Sequence, residues 1–408
     1  MPCARSESGI ATPGPRLEVA DIFSQHFEAF RQRYVPTPSC ERVARDVMRC
    51  RTAVLGGHLE VCTSCGFARP AYNSCRNRHC PKCQALRQAR WVQHRMTRLV
   101  PAHYFHVVFT LPSELHVLVR LNRALLYALL IKSAATALDT LARDPKWLTE
   151  TAQLAITAVL HTWTRELMFH PHVHCIVSGG GLSVDGQRWI PAPPNFLFPV
   201  HVLGKLFRGK FLAGLAEFQA RGQLRDPDDH RGARRRRQHL HETSWVVYAK
   251  RPFGGPEHVY RYLGRYTHRV AISNTRLISA DHDRVVFRTR GRTTSSCHPV
   301  EFIRRFLEHV LPQRFVKIRH FGLFAAVHVH TRLEHARRLL AHTAVGIPRD
   351  QHAAQPCTAP LNTLPFAALL LELTGIDLRL CPTCHQRTLV RHPLPIDCRG
   401  PPLLPCLS

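Results

Sequence analysis

The chain has 408 residues, 45% of them hydrophobic, which is enough for a full core and more than one core usually spans, so two or three units are expected. Its 56 Lys and Arg against 28 Asp and Glu leave a formal charge of +28, which solubility does not require and a polyanion would match. Nucleic acid leads over a membrane surface, because no polybasic amphipathic helix flanks an apolar span.

Residues 1–15, rich in Pro, Ser and Gly, are expected to be disordered. The opening Met1-Pro2-Cys3-Ala4-Arg5-Ser6-Glu7 lacks an apolar signal core, and the best apolar run, Leu121 to Leu138, is broken by Lys132 and Ser133. A buried helix and a reducing cytoplasm are therefore expected, where the 15 cysteines serve metals before disulfides.

Val19, Ile22, Phe23, Phe27 and Phe30 recur at helical spacing within Leu17 to Tyr34. From Cys50 to Gln84 the chain is rich in Cys, Arg and Gly and too poor in apolar residues for its own core, so residues 16–99 read as a helix plus a metal-stapled module. Tyr104 to Leu111, ended by Pro112, reads as a buried strand. Helices are expected over roughly 113–142 and 150–168, then a strand from His172 to Val177 with Gly179-Gly180-Gly181 as a turn. Asp185-Gly186 before Trp189 signals a hairpin. Arg231 and Arg234 to Arg237 read as a flexible basic loop, and Trp245 to Tyr248 as a strand. A helix is expected from Pro256 to about His268, then strands at Ala271 to Leu277 and Arg284 to Arg288 around an Asp-His-Asp turn. Uneven alternation of strands and helices predicts an α+β domain over 100–340, followed by a Pro- and Cys-containing tail over 341–408.

Cys62-Thr63-Ser64-Cys65 and Cys80-Pro81-Lys82-Cys83 form two CxxC knuckles, which predict one four-thiolate structural Zn²⁺ shell of Cys62, Cys65, Cys80 and Cys83. Cys50, Cys75, His58 and His79 are further candidates, and Cys381 with Cys384 marks a possible second metal, with Cys398 or Cys406 as partners. Arg76, Arg78, Lys82 and Arg87 would present a basic face on this scaffold for phosphates.

On a strand, His170, His172 and His174 share one face, neighbours being about 7 Å apart. Two adjacent imidazoles can share one ion, and geometry alone does not choose between His170 with His172 and His172 with His174. A third ligand must come from elsewhere, leaving open positions as a catalytic site requires; His268, His106 and His161 are the candidates. Tyr262 and Tyr266, four apart, share a helix face, while Tyr260 points elsewhere. Gly264 inside that helix costs about 1 kcal/mol against Ala, which implies close approach of DNA or the metal strand. A tyrosine hydroxyl with a pKa near 10 needs a cation to attack well, and Arg261, Arg265 and Arg269 stand beside it.

Taken together, Ser74 to Gln84, Leu160-His161-Thr162-Trp163, His170 to Cys175, and Phe253-Gly254-Gly255-Pro256-Glu257 running into Tyr262 to Asn274 resemble the HUH rolling-circle transposases of the insertion-sequence-91 family, over roughly residues 15–340. The resemblance implies a zinc-binding unit and an HUH nuclease domain with a central antiparallel sheet. It implies His172 and His174 as ligands of a catalytic Mg²⁺ or Mn²⁺, and Tyr262 and Tyr266 as nucleophiles that cut single-stranded DNA at element ends through 5′-phosphotyrosine. Before His161 the chain reads Leu148-Thr149-Glu150-Thr151-Ala152-Gln153, where the family tends to carry a glycine. The competing functions are a replication initiator or relaxase with the same chemistry, and a non-catalytic zinc-dependent DNA-binding protein.

Overall fold

The computed structural model describes residues 17–250, 260, 264, 271–343, 366–375 and 377–394. Helix α1 (Val19–Arg33) is capped by Glu18 and Asp21 reciprocally, and buries Val19, Ile22, Phe23 and Phe30. Helix α2 (Pro38–Arg49) starts where the Thr37 side chain accepts from the Cys40 N–H, with Pro38 in the first turn. Both pack on the helix Pro299–Glu308 in one core that joins Phe23, Phe30, Val43 and Val47 to Phe287, Phe302, Ile303 and Phe306.

Strands β1 (Gly57–Cys62) and β2 (Ala68–Tyr72) lead through helix α3 (Ala85–Met96) to the central sheet, whose first strand is followed by the short helix α4 (His116–Leu121). That sheet contains β3 (Tyr104–Thr110), β4 (Ala152–Trp163), β5 (Phe169–Ser183), β6 (Trp189–Pro191) and β7 (Val247–Lys250). Three more strands, β8 (Leu277–Ala280), β9 (Val285–Arg288) and β10 (Thr294–Cys297), form their own sheet, while β11 (Ile318–Gly322) completes the central one. Its order is β11-β4-β5-β3-β7 with β6 beside β5, and every pairing is antiparallel. The molecule is thus a mixed helix and sheet fold, as the α+β expectation had it.

Successive strand residues face opposite sides. Phe105, Val107, Phe109, Leu154, Ile156, Ala158, Leu160, Val173, Cys175 and Val177 pack on one side against helices α5 (Arg123–Ala142) and α6 (Val200–Ala220). Tyr104, Ala155, Val159 and Ile176 pack on the other with Tyr260, Trp91 of α3 and Leu333 of the helix Arg332–Thr343. Helix α5 is long and apolar enough to cross a membrane, but Leu126, Leu130, Ile131 and Leu138 are buried in the core, as expected of this run.

Several local expectations are corrected. Residues 152–163 form β4 rather than a helix, because Ile156, Thr157, Val159, Thr162 and Trp163 favour extended backbone. This segment carries no charged residue to face water, and both its sides are covered. Gly179, Gly180 and Gly181 continue β5 instead of turning; a Cβ on Gly179 would lie 2.1 Å from the His103 ring, and one on Gly180 2.4 Å from the Ile190 carbonyl. The Asp185-Gly186 hairpin forms as expected, between β5 and β6. The Arg-rich stretch is helix α7 (His230–Glu242): Asp229 caps it through the Gly232 N–H, and Arg236 pairs with Asp226 and Asp228. The tail also returns to the N-terminal module, where β12 (Leu389–Leu394) pairs antiparallel with β1.

Candidate functional site

The three strands β3, β4 and β5 bring four histidines onto the side of the sheet that carries Tyr260. His161 of β4 stands opposite His172 of β5, and His174 opposite Val159 and Val108. One ring nitrogen from each of His161, His172 and His174 lies within 4.8 Å of the others. Three imidazoles at about 2.1 Å from one ion would hold their nitrogens roughly 3.0–3.4 Å apart, so small rotations suffice to close the shell. His161 is therefore the residue placed where it could serve as the third donor that the strand could not supply.

Hydrogen bonds preset the tautomers. His172 Nδ1 donates to the His170 carbonyl at 2.6 Å, which leaves Nε2 with a lone pair for metal. His174 Nδ1 lies 2.7 Å from His106 Nε2, and in the tautomer that carries its proton on Nδ1 the His174 ring keeps Nε2 free to hold a metal. His106, one of the three candidate third ligands, thus orients His174 from outside the three-donor group. His170 sits beyond the register shift that follows His161, and its ring stands near His116. His268 lies outside the described residues.

Burial keeps these rings uncharged. It lowers His172 and His106 to about 4, and holds His161 and His174 well below the usual histidine value, helped by neighbouring imidazoles and, for His161, by Lys317. Neutral imidazoles are the form a cation needs. Lys317, just ahead of β11, is itself brought down by burial to about 7.

Behind this group, His309 Nε2 donates to the Leu167 carbonyl at 3.1 Å, so its Nδ1 accepts from the Thr162 hydroxyl at 3.3 Å. Burial lowers it to about 4, below the 6.5 expected of the unfolded chain. The folded state thus binds fewer protons between those values, so stability present above pH 6.5 is lost as pH falls toward 4. At pH 5 the loss from one such group is about 2 kcal/mol. His309→Gln is expected to flatten the acid side of the stability curve by that amount in melts at pH 7 and pH 5; parallel curves for both proteins would refute it.

Of the tyrosine segment, Tyr260 and Gly264 are described and both are helical. The Tyr260 hydroxyl lies 3.1 Å from Thr157 Oγ1, on the same face of β4 as His161 and four residues before it. Thr157 Oγ1 is also 3.1 Å from His320 Nδ1, and Arg95 of α3 donates to His320 Nε2 at 3.0 Å. A Cβ on Gly264 would stand 2.5 Å from Val92 Cγ2, so the close neighbour implied by this glycine is α3 of the zinc module, not DNA or the metal strand. Tyr262, Tyr266, Arg261, Arg265 and Arg269 lie outside the described residues.

The cysteines assemble differently from the single shell expected. Cys50, Cys75, Cys80 and Cys83 form one group, and Cys62, Cys65, Cys381 and Cys384 another, with the four sulfurs of each within 4.8 Å. The two knuckles of the N-terminal module therefore belong to separate groups. Cys50 follows α2, and Cys75 and Cys80 flank a bend at Arg76, whose φ is +55°; this bend folds them onto Cys83. The β1–β2 hairpin carries Cys62 and Cys65 away from it, toward the tail. Cys75 and Cys83 sulfurs are 3.7 Å apart, close to the roughly 3.8 Å between tetrahedral ligands at about 2.3 Å from Zn²⁺.

The basic face is also redistributed. Arg78 donates to the Phe315 and Pro312 carbonyls at 2.7 and 3.0 Å, and Lys82 pairs with Glu18 at 2.6 Å, so both anchor the module to its surroundings. Arg76 stays exposed in a groove of about 1040 Å³, with Arg51, Arg69, Arg87 and Arg90 along it.

Comparisons with known proteins agree with this geometry. A family model described as a transposase zinc-binding domain matches residues 22–111, and one described as a putative transposase matches residues 155–332. The putative transposase y4qJ of Sinorhizobium fredii (strain NBRC 101917 / NGR234) is 42% identical over 406 residues, 96% of this chain and 98% of its own length. The transposase for insertion sequence element IS801 of Pseudomonas savastanoi pv. phaseolicola is 27% identical over 346 residues, 79% of this chain and 80% of its own. No solved structure matches. A trihistidine group in an antiparallel sheet, beside a cysteine-rich zinc-binding domain, belongs here to a transposase. The chain is a member of the insertion-sequence-91 family of transposases.

Proposed function

We propose that the chain cuts and rejoins single-stranded DNA at the ends of a mobile element, using Tyr262 and Tyr266 as nucleophiles. The observation that carries this reading is the convergence of His161, His172 and His174 on the sheet face where Tyr260 is held through Thr157. Tyr262 and Tyr266 follow Tyr260 and Gly264 by two residues each. An Mg²⁺ or Mn²⁺ held by the three imidazoles would supply Lewis-acid polarisation of the scissile phosphate.

In the cut, a tyrosine oxygen gives up its proton and forms a bond to phosphorus. The P–O3′ bond breaks, the 3′-oxygen leaves and takes a proton, and a 5′-phosphotyrosine remains. Rejoining reverses the step with another 3′-OH, so the bond energy is kept and no nucleotide triphosphate is needed. A pair of tyrosines allows donor and target strands to be held at once. Arg261, Arg265 and Arg269 would offset the charge developing on the phosphate. The groove with Arg51, Arg76, Arg87 and Arg90 offers a phosphate track that fixes the strand without reading bases.

The test is trapping. With single-stranded end oligonucleotides and Mn²⁺, the wild-type chain is expected to form a denaturation-resistant protein–DNA adduct that Tyr262→Phe with Tyr266→Phe abolishes. Persistence of the adduct in the double variant would overturn the tyrosine assignment. Failure of the wild type to form one on its own element's ends would leave a zinc-dependent DNA-binding protein.

A further inference from the structure

We propose that Cys62, Cys65, Cys381 and Cys384 bind a second structural Zn²⁺ that staples the C-terminal segment to the N-terminal module. The matched span of the zinc-binding model ends at residue 111, so it includes the first pair and not the second. The sulfurs of Cys62 and Cys384 are 3.6 Å apart, as are those of Cys65 and Cys381, and all four lie within 4.8 Å. A disulfide would need about 2.0 Å, whereas tetrahedral thiolates around Zn²⁺ stand near 3.8 Å.

The two pairs are built alike. The Cys62 N–H donates to the Phe67 carbonyl at 2.7 Å, and the Gly66 N–H to the Cys62 carbonyl at 3.1 Å. In the tail the Cys381 N–H donates to the Gln386 carbonyl at 2.9 Å, and the His385 N–H to the Cys381 carbonyl at 3.0 Å. Gly66 and His385 occupy matching positions with φ of +71° and +57°, the left-handed turn that closes each knuckle. The Thr388 hydroxyl lies 3.1 Å from the Cys62 sulfur, and the Thr383 N–H donates to the Cys381 sulfur at 3.4 Å. Donors aimed at sulfur suit the thiolate, which is the form a metal binds. Two such knuckles facing each other make a complete four-sulfur shell.

The flanking sheet supports the same partnership. Six registered residue pairs join β1 to β12, and the Thr63 N–H donates to the Thr388 carbonyl at 3.1 Å beside the sulfurs. Buried Glu60 of β1 is held from both sides, by Arg69 of β2 at 2.8 Å and Arg391 of β12 at 2.9 Å. Cys65 and Cys381 are 316 positions apart. Closing so long a loop costs chain entropy that one short edge strand offsets poorly and a four-ligand metal offsets well.

Cobalt substitution of the full-length chain tests the site. Titration with Co²⁺ is expected to give thiolate charge-transfer absorption saturating at two equivalents, and Cys381→Ser with Cys384→Ser to halve it. Saturation at one equivalent in the wild type overturns the proposal. A second measurement needs no variant: the zinc-loaded wild type is treated with N-ethylmaleimide and mapped by mass spectrometry. Joint protection of Cys62, Cys65, Cys381 and Cys384, lost together on strong chelation, supports the site. Alkylation of Cys381 and Cys384 while Cys62 and Cys65 stay protected overturns it.

Discussion

His174→Ala is expected to lower metal-dependent cleavage of single-stranded element ends by on the order of 10³-fold, since metal polarisation contributes several kcal/mol and each 1.4 kcal/mol is tenfold. His174 lies at the centre of the group: its ring centroid is 4.3 Å from that of His161 and 4.9 Å from that of His172, and His106 holds it by a 2.7 Å hydrogen bond. His161→Ala and His172→Ala should fall in the same range. His106→Ala removes an orienting partner and not a ligand, so a smaller loss is expected, about 10–100-fold, recovered in part by raised Mn²⁺. The measurement is single-turnover cleavage against metal concentration. Equal loss in His106→Ala and His174→Ala, with His161→Ala nearly active, would remove His161 from the ligand set. Binding of the uncut strand should survive in all four variants, because the exposed arginines of the groove are untouched.

Cys80→Ser is expected to have the largest effect on stability. Cys80 is fully buried with Cys50, and both belong to the core that contains Val43, Val47, Leu167 and Phe306. The four sulfurs of Cys50, Cys75, Cys80 and Cys83 lie within 4.8 Å of one another, and thiolates crowded so closely repel unless a cation stands between them. Structural zinc sites of this ligand set supply about 10–16 kcal/mol of folding free energy in isolated modules. Loss of the ion should therefore unfold α2 and the segment around Arg76, and loosen their packing on the helix Pro299–Glu308. The expected result is one zinc fewer per chain and a melting transition lowered by more than that of Cys65→Ser, whose side chain is exposed. Unchanged zinc content in Cys80→Ser would refute the Cys50, Cys75, Cys80 and Cys83 group.

Of the three ligand groups, the histidine pair is legible in the sequence and the grouping of the cysteines is not, and the difference is physical. His172 and His174 are two apart on one strand, and the period of two fixes their common face whatever the rest of the chain does. The first strand, Tyr104 to Leu111, and the Asp185-Gly186 hairpin were readable for the same reason, as local preferences of aromatic, β-branched and turn residues. Strand β4 is not legible in the sequence because a strand buried on both sides shows no alternation, and an apolar run of that kind does not distinguish strand from helix. The Arg-rich segment shows no helical pattern of its own because its helix depends on an aspartate cap and on ion pairs with the residues just before it.

What the sequence by itself determined is the inventory of chemistry: a strongly basic chain, a histidine pair on one strand, a tyrosine pair four apart, and CxxC pairs that each present two thiols from one turn. What only the tertiary structure decided is which members meet. His161 joins His172 through β4–β5 register, and Gly264 meets α3 instead of DNA. Cys62 and Cys65 meet Cys381 and Cys384 across more than 300 positions of chain, while Cys80 and Cys83 turn back to Cys50 and Cys75. Spacing along a chain constrains ligands within a turn or a strand; partners farther apart are set by strand register and packing, which no local pattern records.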